Sequence, residues 1–90
     1  MVIESWHESA NHIVLSIGDM IVDVATGQIG VLVFREHRVT YEDDDLYFWQ
    51  VQWNKHPTTV EYAPNSMWME EQGLRISIFV GFYDLYPSIE

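Results

Sequence analysis

The chain contains no cysteine. Disulfides, thiolate nucleophiles and cysteine-held metals are therefore excluded, and stability has to come from packing or assembly. Cations are almost as scarce: 4 Lys plus Arg stand against 14 Asp plus Glu, a formal charge of −10. Nucleic-acid affinity rests on cationic contacts to phosphate, so direct binding to DNA or RNA is not expected. An anionic membrane surface is disfavoured for the same reason. No apolar run approaches the roughly 20 residues of a membrane-spanning helix. Met1–Ser9 carries Glu4 and Glu8 and no basic residue, unlike a secretory leader. A reducing cytosol, or a particle assembled there, is the expected location. Internal repeats, linkers and low-complexity segments are also missing, so the 90 residues read as one small domain with an arm at 1–10 and a tail at 84–90.

Apolar and aromatic side chains are abundant. They make up 48% and 14% of the chain, and a domain this small buries only roughly 60–65% of its unfolded surface. Four Trp, five Tyr and four Phe exceed what one modest core holds, so some rings are expected on a contact surface.

The chain is organised around Ile17–Arg35. Two β-branched runs, Met20–Ala25 and Ile29–Phe34, flank Thr26-Gly27-Gln28, which predicts an antiparallel hairpin. Gly18-Asp19 opens the first run as a tight turn. Gly30, inside the second run, marks a bulge or a close backbone approach. Leu32 and Phe34 are expected on one face and Ile29, Val31 and Val33 on the other. Arg35–Arg38 suits a projecting hairpin end.

Elsewhere, Asn11–Ser16 reads as a short strand and Leu46–Trp53 as a clear one. In the latter, Tyr47, Trp49, Val51 and Trp53 share a face opposite Phe48, Gln50 and Gln52. Asn54–Pro57 is a turn and Thr58–Tyr62 a further strand. A single helical turn is expected at Met67–Gln72, and Leu74–Tyr83 is expected to be the last strand, with a bend at Gly81. The tail is apolar enough to pack on its own sheet or on a neighbour. The expected fold is all-β: a small, strongly bent antiparallel barrel of five to six strands with one short helical turn before the last strand.

Gly18-Asp19-Met20-Ile21-Val22 followed by Thr26-Gly27-Gln28-Ile29-Gly30-Val31-Leu32 resembles the opening of the KOW and Tudor-like group of small Src-homology-type barrels. The layout is also similar to that of short one-barrel proteins encoded by tailed bacteriophages. The resemblance implies a fold more than an activity. Nucleic-acid-binding members carry basic loops, where this chain carries Glu42-Asp43-Asp44-Asp45. In Tudor-type members, rings and a carboxylate cage a methylated cation; Phe48, Trp68, Tyr41 and Glu61 are the residues that such a cage would use here.

Catalytic and metal signals are weak. Ser5 and Ser9 near His7 and His12 are the only local nucleophile–base pairings, without an oxyanion motif. His7, His12, His37 and His56 lack the spacing of a zinc site. Glu42–Asp45 lacks the alternating ligands, glycine and distal glutamate of a calcium loop, and reads as a solvated acidic turn. No enzyme activity and no cofactor are expected. Two functions are open. One is a structural or assembly protein, contacting other subunits through Trp6, Met67, Trp68, Met69 and Phe79, as a homo-oligomer or in a phage particle; each of these residues could equally fill the core. The other is an acidic regulator that mimics DNA and occupies the basic cleft of a nucleic-acid-binding protein through Glu42–Asp45.

Overall fold

The computed structural model describes residues 9–54 and 66–88. Trp6, the turn after Asn54, the expected strand Thr58–Tyr62 and Glu61 lie outside the described residues. Five antiparallel strands form one sheet: β1 (Met20–Asp23), β2 (Ile29–Val39), β3 (Asp45–Trp53), β4 (Ser66–Glu70) and β5 (Tyr83–Tyr86). Their order is β4-β3-β2-β1-β5. A helix, α1 (Glu71–Phe79), carries the chain from the β4 edge to the β5 edge. The fold is mostly β, with the sheet edges unjoined among the described residues, so the expected barrel is an open one.

The entry turn shows why Gly-Asp stands there. Gly18 has φ +94°, a backbone that L side chains rarely adopt, and a Cβ on it would sit 3.3 Å from Ser88 Oγ. Asp19 is 3% exposed, and its carboxylate accepts hydrogen bonds from Ser16 N at 2.8 Å and Ser88 N at 2.7 Å. One buried carboxylate thus ties the start of the sheet to the C-terminal segment. Asp19→Ala is expected to cost about 2 kcal/mol, because two charge-assisted bonds vanish. Chemical denaturation measures it, and protease cleavage after Leu85 should accelerate in parallel.

The β1–β2 connection folds on Asp23, whose Oδ1 accepts from Ala25 N and Thr26 N, while Gly27 turns the chain at φ +75°. Gly30 is the close approach rather than the bulge. The bulge falls at Val33, where the β2–β3 register slips between Leu32 and Phe34. Leu32 pairs with Val51 and Phe34 with Gln50, and these partners are neighbours on β3. Leu32 and Phe34 therefore point to opposite faces, against the expectation of a shared one: a single inserted residue inverts everything beyond it.

The core lies on the inner face, where Ile21, Leu32, Trp49, Val51 and Trp53 meet Leu74 of α1. Besides the faces of Leu32 and Phe34, four elements differ from expectation, the first being residues 84–86, expected in the tail, which belong to strand β5. Asn11–Ser16 is not a strand, being a helical end and irregular chain. Residues 67–70, expected to begin a helical turn, lie in strand β4. Residues 74–79, expected as strand, are helix. Leu74, Ile78 and the intervening residues satisfy both a two-residue and a four-residue period. The interior decides between them, because Leu74 and Ile78, one helical turn apart, both pack on the core. A turn over Met67–Gln72 would set Glu70 and Glu71 late, where the helix dipole disfavours carboxylates, and a start at Glu71 removes that conflict. Glu70 becomes the N-cap, accepting from Gln72 N at 2.6 Å and Gly73 N at 3.3 Å, and Glu71 sits in the first turn where the helix dipole favours a carboxylate. The expected bend at Gly81 is present at φ +93°, just beyond the helix.

Candidate functional site

Two surfaces and one buried network gather the chemically interesting side chains. The network joins helix to sheet. Glu71, 8% exposed, accepts from Arg35 Nε at 2.9 Å, Arg35 Nη2 at 3.1 Å and Trp49 Nε1 at 2.9 Å, and Arg75 Nη2 lies 3.8 Å away. Arg35 also stacks 3.7 Å over the Tyr47 ring. Burial pushes the Glu71 carboxyl up, but the bonds from Arg35 and Trp49 and the charges of Arg75 and Arg35 together hold it below the ordinary glutamate range. The hydrogen bond to Glu71 in turn raises Arg35 against its own burial. This is a brace in which Glu71 satisfies Arg35 and Trp49, while the buried Arg75 Nε has no hydrogen-bond partner among the described residues.

The first surface is the outer face of the sheet, which α1 does not cover. Phe34 and Trp68 flank Gln50 across the strands and meet edge to face, with ring centroids 6.1 Å apart. They are 52% and 41% exposed. Phe48 lies one register step along. Arg38 spans the two aromatic sites, 4.3 Å over Phe48 and 5.4 Å over Trp68, and pairs with Glu36 at 2.9 Å. Phe48 and Trp68, the rings named for a cation cage, do converge, but the chain's own guanidinium stands on them. Tyr41 is fully exposed at the hairpin end.

Of the other contact candidates, Met67 is 49% and Phe79 45% exposed, whereas Met69 packs against the core. Sequence reasoning missed Phe34, because nothing in the local pattern marks the bulge at Val33. It missed Arg38 as well, since its role depends on strand pairing.

The acidic loop is a tight hairpin turn built on Thr40. Thr40 Oγ1 accepts from Glu42 N and Asp44 N, and Asp43 takes φ +61°. Glu42, Asp43, Asp44 and Asp45 are all exposed. Asp45 Oδ1 lies 2.7 Å from His37 Nε2, and His37 stacks on Tyr47. Among the described residues no group of three or more His, Asp or Glu could hold a metal ion. Nor is any described helix long and apolar enough to cross a membrane.

The second surface is a groove of about 430 Å³ where the end of α1 meets the β1–β2 turn. The turn lines it with Asp23, Val24 and Ala25, and the helix end and start of β5 with Ser77, Gly81, Phe82 and Tyr83. Val24 N donates to Phe82 O at 3.1 Å, joining the two segments. The helix ends there in a Schellman turn, with Phe82 N donating to Ser77 O at 2.9 Å and Gly81 N to Ile78 O at 3.2 Å. The residue at the Phe82 position of such a turn usually packs back on its helix. Here Phe82 is 68% exposed. Burial, and next the charge of Asp23, push the Tyr83 phenol up.

Neither a protein-family model, nor a curated protein, nor a solved structure matches this chain.

Proposed function

We propose that the protein is a non-enzymatic structural or assembly protein that joins other protein subunits through the outer face of its sheet. The observation that carries this reading is the Phe34–Trp68 pair, held edge to face on a sheet surface that no described element covers. A polar outer face is the ordinary choice for a half-buried antiparallel sheet. Aromatics with a spanning arginine are the composition of interface centres. The particle of a tailed bacteriophage is the setting that the resemblance of the Gly18–Leu32 stretch suggests.

Size-exclusion chromatography with light scattering tests the proposal. The wild type is expected to form a defined oligomer or to bind a subunit of its host particle. Phe34→Ser combined with Trp68→Ser should weaken association at least tenfold, since it removes two anchors of about 1–2 kcal/mol each. Circular dichroism should be unchanged, because both rings lie outside the core. A wild type that stays monomeric and captures no particle protein overturns the reading.

The second reading, an acidic mimic of DNA, is favoured by the four exposed carboxylates at Glu42–Asp45 on a projecting hairpin. It predicts a complex that dissolves as salt rises and is lost when those four residues are neutralised.

A further inference from the structure

We infer that the groove between Asp23, Val24, Ser77 and Phe82 binds the guanidinium side chain of an arginine presented by a partner protein, seating its methylene stem on the apolar walls and its charge at Asp23. Three observations select this occupant.

The walls are apolar and open. Val24 is 57% and Phe82 68% exposed, and both line a cleft of about 430 Å³. That volume suits one long side chain rather than a helix or strand. The arginine stem is the part of a cationic residue that covers apolar surface while its head stays polar.

The polar groups of the cleft favour a positive guest. Both hydrogen bonds to the Asp23 carboxylate fall on Oδ1, so Oδ2 takes neither of them. The negative end of the α1 dipole lies at the same place, and the last turn of α1 has no basic residue to complement it. Ser77 and Tyr83 add hydroxyls.

The described chain has no cation to spare for this position. Arg35, Arg38 and Arg75 reach glutamates at 2.9, 2.9 and 3.8 Å on other parts of the fold. A second copy of this chain is a poor source of the charge, because its described arginines are already engaged with its own glutamates. The guest therefore comes from a more basic protein. This site is separate from the outer sheet face and does not depend on assembly through it.

The probe is benzamidine, an apolar ring with a planar cationic head, titrated into ¹⁵N-labelled protein and followed by amide chemical shifts. Saturable shifts are expected at Val24, Ala25, Gly81 and Phe82, in the millimolar range. Neutral benzamide should bind roughly three- to fivefold more weakly, and Asp23→Asn should produce a similar loss. That variant retains an oxygen to accept from Ala25 and Thr26, so its turn should persist, and its unperturbed spectrum elsewhere checks that it does. Phe82→Ser should abolish the shifts, while Trp68→Ser on the outer face should leave them intact. Three results overturn the inference: no saturation at these amides, equal binding of benzamide and benzamidine, or shifts confined to Glu42–Asp45, which mark unspecific charge attraction.

Discussion

Glu71→Ala is expected to lower the free energy of unfolding by about 2–3 kcal/mol. The carboxylate is the shared acceptor of Arg35 and Trp49. Its removal leaves the Trp49 indole N–H, on a residue only 2% exposed, without a partner. A buried donor in that condition costs about 1–3 kcal/mol. Arg35 is 40% exposed on its side chain and regains water, which keeps the total below that of a fully buried ion pair. For a domain of this size, the loss corresponds to a melting temperature lower by about 10–20 °C. Glu71→Gln keeps one acceptor oxygen and should cost about half as much.

The same site carries an acid-sensitive contribution. The folded Glu71 carboxyl is held below its ordinary value, so the folded state binds its proton more weakly than the unfolded state. Its contribution is fully present above the ordinary glutamate range and is lost as pH falls through the lower, folded value. Stability measured from neutral pH downward should fall below about pH 4.5 in the wild type. The slope should be shallower in Glu71→Gln. A Glu71→Ala protein that melts within a degree or two of wild type would show that the brace does not hold helix to sheet.

Gly30→Val should destabilise by about 3 kcal/mol or more. The backbone conformation is not the cause, because Gly30 does not have positive φ. Space is the cause: a Cβ there would lie 2.6 Å from Val51 Cγ1 and 2.9 Å from Trp53 Cε3. Val51 is fully buried and stiff at χ1, and Trp53 is 8% exposed, so neither ring nor methyl can step aside without disturbing the core. Gly30→Ala sets this overpacking, about 1–3 kcal/mol, against a gain of about 0.5–1 kcal/mol from a less flexible unfolded chain. The clash outweighs the gain, and a net loss of about 1–2 kcal/mol is expected. Urea denaturation of both variants decides the matter. Gly27→Ala, which meets nothing within 4 Å but sits at φ +75°, serves as a control for backbone strain alone.

Residues that repel or restrict their neighbours in sequence were legible without a structure. The Gly18-Asp19 turn, the alternation of Tyr47, Trp49, Val51 and Trp53, the tightness at Gly30, the solvated Glu42–Asp45 turn and the bend at Gly81 all express local sterics or local charge. Where two periodicities fit one stretch, the local signal failed. Gln72–Phe79 carries Gly73, Ser77 and two isoleucines, which argue against helix by propensity, and only the docking of Leu74 and Ile78 on the sheet makes it one. The candidate surfaces were the least legible part. Their residues lie on different strands, and their exposure is set by register.

A small, acidic, cysteine-free sheet with more rings than its interior holds follows from the residues alone, because composition and two-residue alternation are properties of the chain. Which rings face water depends on the folded arrangement. The inserted Val33 turns Phe34 outward beside Trp68, and the end of α1 sets Phe82 beside Val24. Pairing and packing between segments distant in sequence fix both arrangements, and no stretch of residues read along the chain contains them.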